Sequence, residues 1–370
     1  MSQAATTESR TQGERASDRL PPERLRKLLH DMQLIREFES RTQQAYQQAK
    51  IGGFCHIYSG QEACAVGTIA CLEEGDPIVT AYRDHGHALA VGSDPRYVMA
   101  EMYGKITGVA KGKGGSMHMF DRPRHLYGGH GIVGAQTPLG AGLAFGARYT
   151  WEVLGEGPKR VALCYLGDGA LNQGAFHEAQ NLAGILGLPV IYIVENNGYS
   201  MGTSIARGTT MPHDLVLKAA GYGIKGLKID GFDVLHVIDE FQPLVDECRE
   251  EQKPGFVDLI TYRYQGHSMS DPQKYRTKEE VDEWKSRDSI AKLANDLIEG
   301  GVLSEDEWKA MQDEIRETVK EAVAYAEEAP LPDPEAEMFS DVYANPQKNL
   351  SPSATYHHGA KNIVLDEAGM

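Results

Sequence analysis

The 370-residue chain lacks several features that define large classes of protein. It has no window approaching about 18 uncharged apolar residues, so no membrane-spanning helix is expected. The five cysteines are odd in number and form no CxxC pair, which favours reduced thiols over a disulfide framework or zinc site. The formal net charge of −16 argues against binding to nucleic acid or anionic membranes, because phosphate backbones attract basic surfaces.

Common nucleotide and metal motifs are also missing. The sequence contains no GxxxxGK[ST] P-loop, no HExxH and no EF-hand pattern. The run GAGLAFG (140–146) has the wrong spacing for a dinucleotide fingerprint and follows no predicted strand. A closely packed helix is the better interpretation of this run.

The N-terminal segment is polar, and its arginines are balanced by acids. It has no apolar core of the kind found in signal peptides, and its acids argue against a transit peptide. We therefore expect a disordered tail over residues 1–20. This composition favours the bacterial cytoplasm over the alternative, the mitochondrial matrix.

The pattern from about residue 137 alternates between helix-like and strand-like segments. Strands are predicted at 161–166 and 189–195, with a further strand near KIDGF or FVDLITY. This alternation predicts an α/β fold with a mostly parallel sheet flanked by helices. Helical segments are predicted to be added at both ends of this α/β fold: an amphipathic helix within 21–50 and a helical segment over 277–329. Residues 51–130 are predicted to form glycine-rich loops.

These elements predict one domain over residues 21–344, followed by an arm or tail over 345–370. Within the helical segment, Thr277–Glu280 and Ser304–Glu307 both match the capping-box pattern.

Polar side chains follow two successive predicted strands. Asp168 stands between two glycines after the strand 161–166, and Asn196 and Asn197 follow the strand 189–195. Ligands of parallel sheets bind outside the carboxyl ends of the strands, and adjacent strands lie about 4.8 Å apart. Oxygen ligands from both strand ends, with diphosphate oxygens, suit Mg²⁺. The pattern therefore predicts a magnesium–diphosphate site.

The spacing GDG-x26-NN is similar to the signature of enzymes that bind thiamine diphosphate through magnesium. Five further segments narrow this resemblance: GFCHIYSGQEA, TAYRDHG, KGKGGSMHMF, GHGIVGAQTPLGAG and YRYQGHSMSDPQKYRT. Together they resemble the α subunits of 2-oxo acid dehydrogenases that depend on thiamine diphosphate, in particular the decarboxylating component of pyruvate dehydrogenase. The resemblance runs from about residue 20 to 344.

This resemblance implies a role for each residue that matches a family motif. The implied magnesium ligands are Asp168, Asn197 and the carbonyl of Tyr199. The implied diphosphate contacts are Tyr82, Arg83, Gly169 and Ala170, and the aminopyrimidine ring would contact Gly131 and Val133. The implied catalytic histidines are His56 and His267, the latter also near the cofactor, with Phe54, Gln173 and Met201 lining the substrate pocket.

The resemblance further implies decarboxylation of pyruvate and transfer of the two-carbon fragment to the lipoyl group of a dihydrolipoamide acyltransferase. The family uses a glutamate to activate the aminopyrimidine, and none can be placed in this chain. The resemblance therefore implies a β subunit that supplies it, in an α2β2 heterotetramer.

Alternatives remain at this point. The substrate can instead be acetoin or a branched-chain 2-oxo acid, and a non-catalytic subunit that binds magnesium and phosphate is the non-enzyme alternative. Ser268 stands where mitochondrial relatives are phosphorylated, which makes it a possible regulatory site. The following DPQKYRT is one residue shorter than in those relatives and lacks their second serine, which argues against kinase control.

Overall fold

A six-stranded, fully parallel sheet forms the centre of the molecule. A computed structural model describes residues 20–342. The strands are β1 (Ile78–Ala81), β2 (Leu126–His130), β3 (Ala162–Gly167), β4 (Val190–Asn196), β7 (Lys225–Asp230) and β8 (Gly255–Ile260), in the order β2-β1-β3-β4-β8-β7. A small antiparallel hairpin, β5 (Tyr199–Ser200) with β6 (Thr203–Ser204), follows β4.

Helices flank the sheet, and they are numbered here in chain order. Before β3 lie α1 (Pro22–Gln47), α2 (Glu62–Ile69), α3 (His85–Ala90), α4 (Pro95–Met102) and α5 (Gln136–Glu152). Between β3 and β8 lie α6 (Gly174–Leu186), α7 (Ile205–Gly208), α8 (Val216–Ala220) and α9 (Val234–Glu251). After β8 come α10 (Lys278–Lys285), α11 (Ser289–Glu299), α12 (Glu305–Glu328) and α13 (Pro334–Glu337).

The central strands are buried on both faces, as the continuous apolar sequence of a parallel sheet requires. Along β3, Leu163 and Tyr165 join one apolar cluster while Cys164 and Leu166 join the other. The first cluster contains the inner faces of α1, α9 and α12, and the second contains those of α5 and α6. This two-sided burial confirms the predicted α/β class.

The predicted strands at 161–166 and 189–195 are confirmed as β3 and β4, within a residue at each end. KIDGF and FVDLITY were alternatives for one further strand, and both contribute to strands, β7 and β8. The prediction of loops over 51–130 was wrong in part, because this range contains β1, β2 and three helices. β1 has only four residues, although three of them are β-branched, and β2 contains two glycines, so neither gives a long strand pattern in the sequence.

The helical prediction over 277–329 agrees with α10, α11 and α12. Ser304 and Glu307 form the complete capping box at the start of α12. The predicted box at Thr277 forms only half: Thr277 Oγ1 accepts the Glu280 N–H, but the Glu280 carboxylate accepts from the hydroxyls of Tyr199 and Tyr262. A tertiary contact therefore replaces the local one.

The chain divides into two units, with the boundary after Ala329. In the described part of the second unit, α13 is the helix. The predicted tails, 1–20 and 345–370, lie outside the described residues apart from Leu20. Between residues 20 and 342, no helix combines the length and the apolar character needed to cross a bilayer.

Candidate active-site cleft

The carboxyl ends of β3 and β4 bring the two predicted polar positions together. The strands pair in register up to Gly167 and Glu195, so Asp168 and Asn197 emerge side by side. Asn196 turns away from the cleft, where its Nδ2 donates to Asp258 Oδ1 at 2.9 Å. Of the two asparagines, Asn197 is therefore the one that lines the cleft.

Asp168 presents an unsatisfied carboxylate to this cleft. Its side chain is 3% exposed, and Oδ2 is buried with no hydrogen-bond partner in the described chain. Burial raises the pKa of Asp168 to about 6, partly offset by the nearby positive charge of Arg263. A buried carboxylate oxygen without a partner is costly, and a cation bound here removes that cost.

The second oxygen, Asn197 Oδ1, is oriented by hydrogen bonds at both ends of its amide. Nδ2 donates to Gln61 Oε1 at 3.2 Å, while Oδ1 accepts from Arg263 Nη1 at 3.2 Å. The same Arg263 Nη1 donates to the carbonyl of Tyr199 at 2.9 Å. Asn197 Oδ1 also accepts the Tyr199 N–H at 3.3 Å, so each of its two lone pairs has a donor. Arg263 therefore fixes the hairpin and orients both oxygens at the cleft, and a metal ion bound to Asn197 Oδ1 would replace one of its two long hydrogen bonds.

Three aromatic side chains form one wall of the cleft. The ring of His56 lies 4.5 Å from that of Tyr82 and 5.1 Å from that of His267, measured between centroids. Nδ1 of each histidine is buried and has no hydrogen-bond partner among the described residues. Two imidazole nitrogens are therefore free for a ligand.

Both histidines are held neutral. Burial, followed by the charge of Arg83, lowers the pKa of His56 to about 2 and that of His267 to about 4. Neutral imidazole can donate from one nitrogen and accept at the other, whereas imidazolium can only donate. Each neutral ring can therefore accept a hydrogen bond at ordinary pH.

Arg83 joins the loops that carry these two histidines. Nη1 donates to the carbonyl of Ile57 and Nη2 to that of His267, each at 2.7 Å. The side chain is buried, which lowers the pKa of its guanidinium. A guanidinium has five N–H donors, so donors remain for an anion in the cleft.

Every residue to which the family resemblance assigns a role lines this one cleft of about 890 Å³. The apolar side chains at its mouth are exposed: Phe54, Val133 and Met201 are 64%, 42% and 65% exposed. Gly169 is required as glycine because a Cβ would lie 2.2 Å from Ser200 Oγ. Ser268 also lines the cleft, with its Oγ 3.1 Å from Ser270 Oγ.

Comparison with known proteins assigns this arrangement to a family. The family model described as "Dehydrogenase E1 component" matches residues 30–335. The chain belongs to the dehydrogenase E1 component family. It is 47% identical to the pyruvate dehydrogenase E1 component subunit alpha of Rickettsia felis, over 86% of this chain and 95% of that protein. It is 48% identical to the Rhizobium meliloti protein of the same name, over 85% of this chain and 89% of that protein.

A more distant relative is the chloroplastic pyruvate dehydrogenase E1 component subunit alpha-3 of rice, 39% identical over 89% of this chain and 78% of that protein. Enzymes of the E1 family depend in general on thiamine diphosphate, and an E1 α subunit implies a β subunit and an acyltransferase component.

Several cleft residues of this E1 chain were missed from the sequence alone, and three of them lie at the strand ends or hold Asn197. Arg263 and Gln61 hold Asn197, and Glu195 lines the cleft at the end of β4 with a hydrogen bond from the Tyr58 hydroxyl. Their motifs, YRYQ, SGQEA and VENN, contained the signal, but only the fold shows which way these side chains point. His85 lies behind the cleft wall, with Nδ1 3.0 Å from Glu39 and Nε2 2.8 Å from Ser116 Oγ.

Within the described residues, no group of three or more His, Cys, Asp or Glu side chains is placed to hold a metal ion. The oxygens at the β3 and β4 ends comprise one carboxylate, one amide and one peptide carbonyl, so they do not depend on such a group.

Proposed function

We propose that this chain is the α subunit of a pyruvate dehydrogenase E1 component. With its β subunit, in an α2β2 heterotetramer, it decarboxylates pyruvate and transfers the acetyl group to the lipoyl group of a dihydrolipoamide acyltransferase. This reaction commits pyruvate to acetyl-CoA. The proposal depends mainly on the buried, unpartnered Asp168 Oδ2 beside Asn197 Oδ1, at the ends of neighbouring parallel strands.

The residues at this point fit a magnesium ion and a diphosphate. Asp168 provides the charged ligand, and the amide oxygen of Asn197 and the carbonyl of Tyr199 provide neutral ones. Oxygen ligands of this kind suit Mg²⁺, which fills its remaining positions with phosphate oxygens and water. Cation binding also removes the cost of burying Asp168 Oδ2 without a partner.

The diphosphate would be bound by donors around the same edge. Arg83 and Arg263 offer guanidinium N–H groups, which pair well with phosphate oxygens. The Tyr82 hydroxyl and the N–H groups of Gly169 and Ala170 complete this set. The backbone of Gly131 and Val133 would hold the aminopyrimidine ring.

On the substrate side, His56 and His267 would hydrogen-bond the reacting 2-oxo acid and exchange protons with it. Their lowered pKa values keep them neutral, so each ring can accept a hydrogen bond at one nitrogen and donate one from the other. Phe54, Gln173 and Met201 would exclude water around the substrate. Bound thiamine diphosphate supplies the electron sink for loss of carbon dioxide.

We place Ser268 at the rim as a position where a phosphate would bring charge near the diphosphate and obstruct the acyl carrier. We also place the assembly in the bacterial cytoplasm. Bacterial relatives of similar length support this.

The test is to purify the chain with its β subunit and measure pyruvate oxidation with an artificial electron acceptor. Turnover that requires thiamine diphosphate, Mg²⁺ and both subunits is expected. Turnover of acetoin or a branched-chain 2-oxo acid instead of pyruvate would change the substrate. An assembled Asp168→Ala variant with full activity would contradict the catalytic role and favour the non-catalytic alternative.

A further inference from the structure

The short segment that carries His56 is held by side chains at successive backbone groups. The His56 N–H donates to Ser116 Oγ at 3.1 Å, and the Tyr58 N–H donates to Glu39 Oε1 at 2.7 Å. The carbonyl between these two N–H groups accepts from Arg83 Nη1. The segment belongs to no helix or strand, so these side chains provide the hydrogen bonds that a regular element would otherwise supply.

His85 joins the two acceptors of this segment. Its Nδ1 lies 3.0 Å from both carboxylate oxygens of Glu39, and its Nε2 lies 2.8 Å from Ser116 Oγ and 3.0 Å from the Ser116 carbonyl. All three side chains are buried. We call this connected set, which runs from Glu39 through His85 to Ser116, the Glu39–His85–Ser116 network.

The surroundings of His85 favour a proton on both ring nitrogens. A carboxylate and a peptide carbonyl can only accept hydrogen bonds, and one of them faces each nitrogen. Burial alone would lower the pKa of His85, but the Glu39 carboxylate outweighs it and the pKa is raised. A buried ion pair with hydrogen bonds at both ends is costly to break. The network therefore fixes the distance between Glu39 and Ser116.

The loop that precedes Ser116 has an anchor of its own. The buried Glu101 carboxylate accepts four backbone N–H groups within residues 110–115, at distances between 2.8 and 3.0 Å. The course of this loop therefore does not depend on the Ser116 hydroxyl. Removing that hydroxyl should take away the acceptor for the His56 N–H and leave the loop in place.

The ring of His56 depends on this backbone support. Its Nδ1 has no hydrogen-bond partner among the described residues, and its neighbours in the cleft wall are aromatic rings. Displacing a reacting group by about 1 Å can cost a hundred-fold in rate. We propose that Glu39, His85 and Ser116 are positioning residues that hold His56 in place for the substrate. This inference rests on the proposed role of His56.

The experiment uses the complex of this chain with its β subunit. The test variants are Ser116→Ala and His85→Gln. The matched control is Ser93→Ala, because Ser93 is as buried as Ser116 but lies outside the cleft lining and donates to Asp121 at 2.6 Å. Thermal unfolding and analytical ultracentrifugation check that each complex folds and assembles. The measurements are kcat and KM for pyruvate, and calorimetric binding of thiamine diphosphate with Mg²⁺.

Ser116→Ala is expected to lower kcat by about tenfold, the effect of one lost hydrogen bond. His85→Gln should lower it further, because one amide cannot donate to both acceptors. Cofactor affinity should stay at the wild-type value in Ser116→Ala, since Asp168 and Asn197 are untouched, and Ser93→Ala should match the wild type throughout. Wild-type kcat in both test variants would overturn the proposal. A parallel loss of kcat, cofactor affinity and thermal stability would also overturn it, because that pattern indicates a general structural defect.

A double-mutant cycle tests whether Ser116 acts through His56. In a His56→Ala background, Ser116→Ala should cause no further loss of kcat, because the group that it positions is already absent. Additive losses would contradict the proposal.

A crystal structure of the Ser116→Ala complex gives a readout that does not depend on activity. The backbone at His56 is expected to shift away from its wild-type position, and an unmoved His56 would overturn the proposal whatever the kinetics. A wild-type complex that does not oxidise pyruvate, or a fully active His56→Ala complex, would instead remove the proposed substrate or the proposed role of His56. In either case, the crystal structure still decides whether the network positions this residue.

Discussion

Replacing Arg83 by lysine tests whether one buried guanidinium positions both catalytic loops. Arg83 Nη1 and Nη2 each hold a carbonyl, of Ile57 and His267, at 2.7 Å. The ammonium of lysine keeps the positive charge but is compact, and it cannot span both carbonyls in the fork geometry of a guanidinium. The variant therefore loses at least one of two charged hydrogen bonds.

The expected magnitude follows from that loss. A hydrogen bond to a charged group contributes about 1.5–3 kcal/mol, and about 1.4 kcal/mol corresponds to a factor of ten. Arg83→Lys should therefore reduce cofactor affinity or kcat by about ten- to a hundred-fold. Arg83→Met should reduce it further, because it also removes the charge.

The two variants also differ in their pH dependence. Arg83 contributes to the lowered pKa of both His56 and His267. Removing its charge in Arg83→Met raises these pKa values, so the acid limb of the rate profile moves to higher pH. Arg83→Lys keeps the charge and should leave the limb in place.

The assay is calorimetric binding of thiamine diphosphate with Mg²⁺, followed by steady-state kinetics across pH in the complex with β. Arg96→Lys is the control, because Arg96 is an exposed arginine paired with Asp94. Wild-type affinity and turnover in Arg83→Lys would refute the positioning role. An unchanged profile in Arg83→Met would refute the electrostatic one.

Three further outcomes are expected. Asp168→Asn should weaken Mg²⁺-dependent binding of thiamine diphosphate, measured by calorimetry, by more than about a hundred-fold. This exceeds the usual loss when a residue that only hydrogen-bonds a metal ligand is replaced. Unchanged binding would exclude Asp168 as a metal ligand. Because the pKa of His267 is lowered to about 4, kcat/KM should show no loss from its protonation above about pH 5; a limb near 6.5 that His267→Gln removes would contradict this. Phe176→Ala should destabilise the fold by about 3–5 kcal/mol in denaturant unfolding, since Phe176 is fully buried against Tyr192 and Phe256; a change below about 1 kcal/mol would contradict that packing.

The sequence was most informative where local pattern and tertiary role coincide. β3 and β4 are continuous apolar runs that end in glycine or polar residues, so their ends could be located without a structure. The parallel arrangement then requires Asp168 and Asn197 to be neighbours. The motifs that resemble the E1 family identified further residues, all of which line the same cleft.

Local pattern was misleading where tertiary contacts compete with it. Glu280 matches a capping box, yet its carboxylate binds two tyrosine hydroxyls from other parts of the chain. β1 is short and β2 contains two glycines, and their ladder pairing is with each other and, for β1, with β3. Such choices depend on which groups are brought close, and a local sequence window does not contain that information.

The sequence by itself determined the fold class, the two strand ends and the identity of the polar groups placed there. Only the tertiary structure decided that Arg263 and Gln61 orient Asn197, that burial leaves Asp168 Oδ2 without a partner, and that α5 presents its large side chains outwards. The physical reason is that strand formation follows from a short apolar run, whereas orientation, desolvation and exposure depend on atoms far apart in the chain.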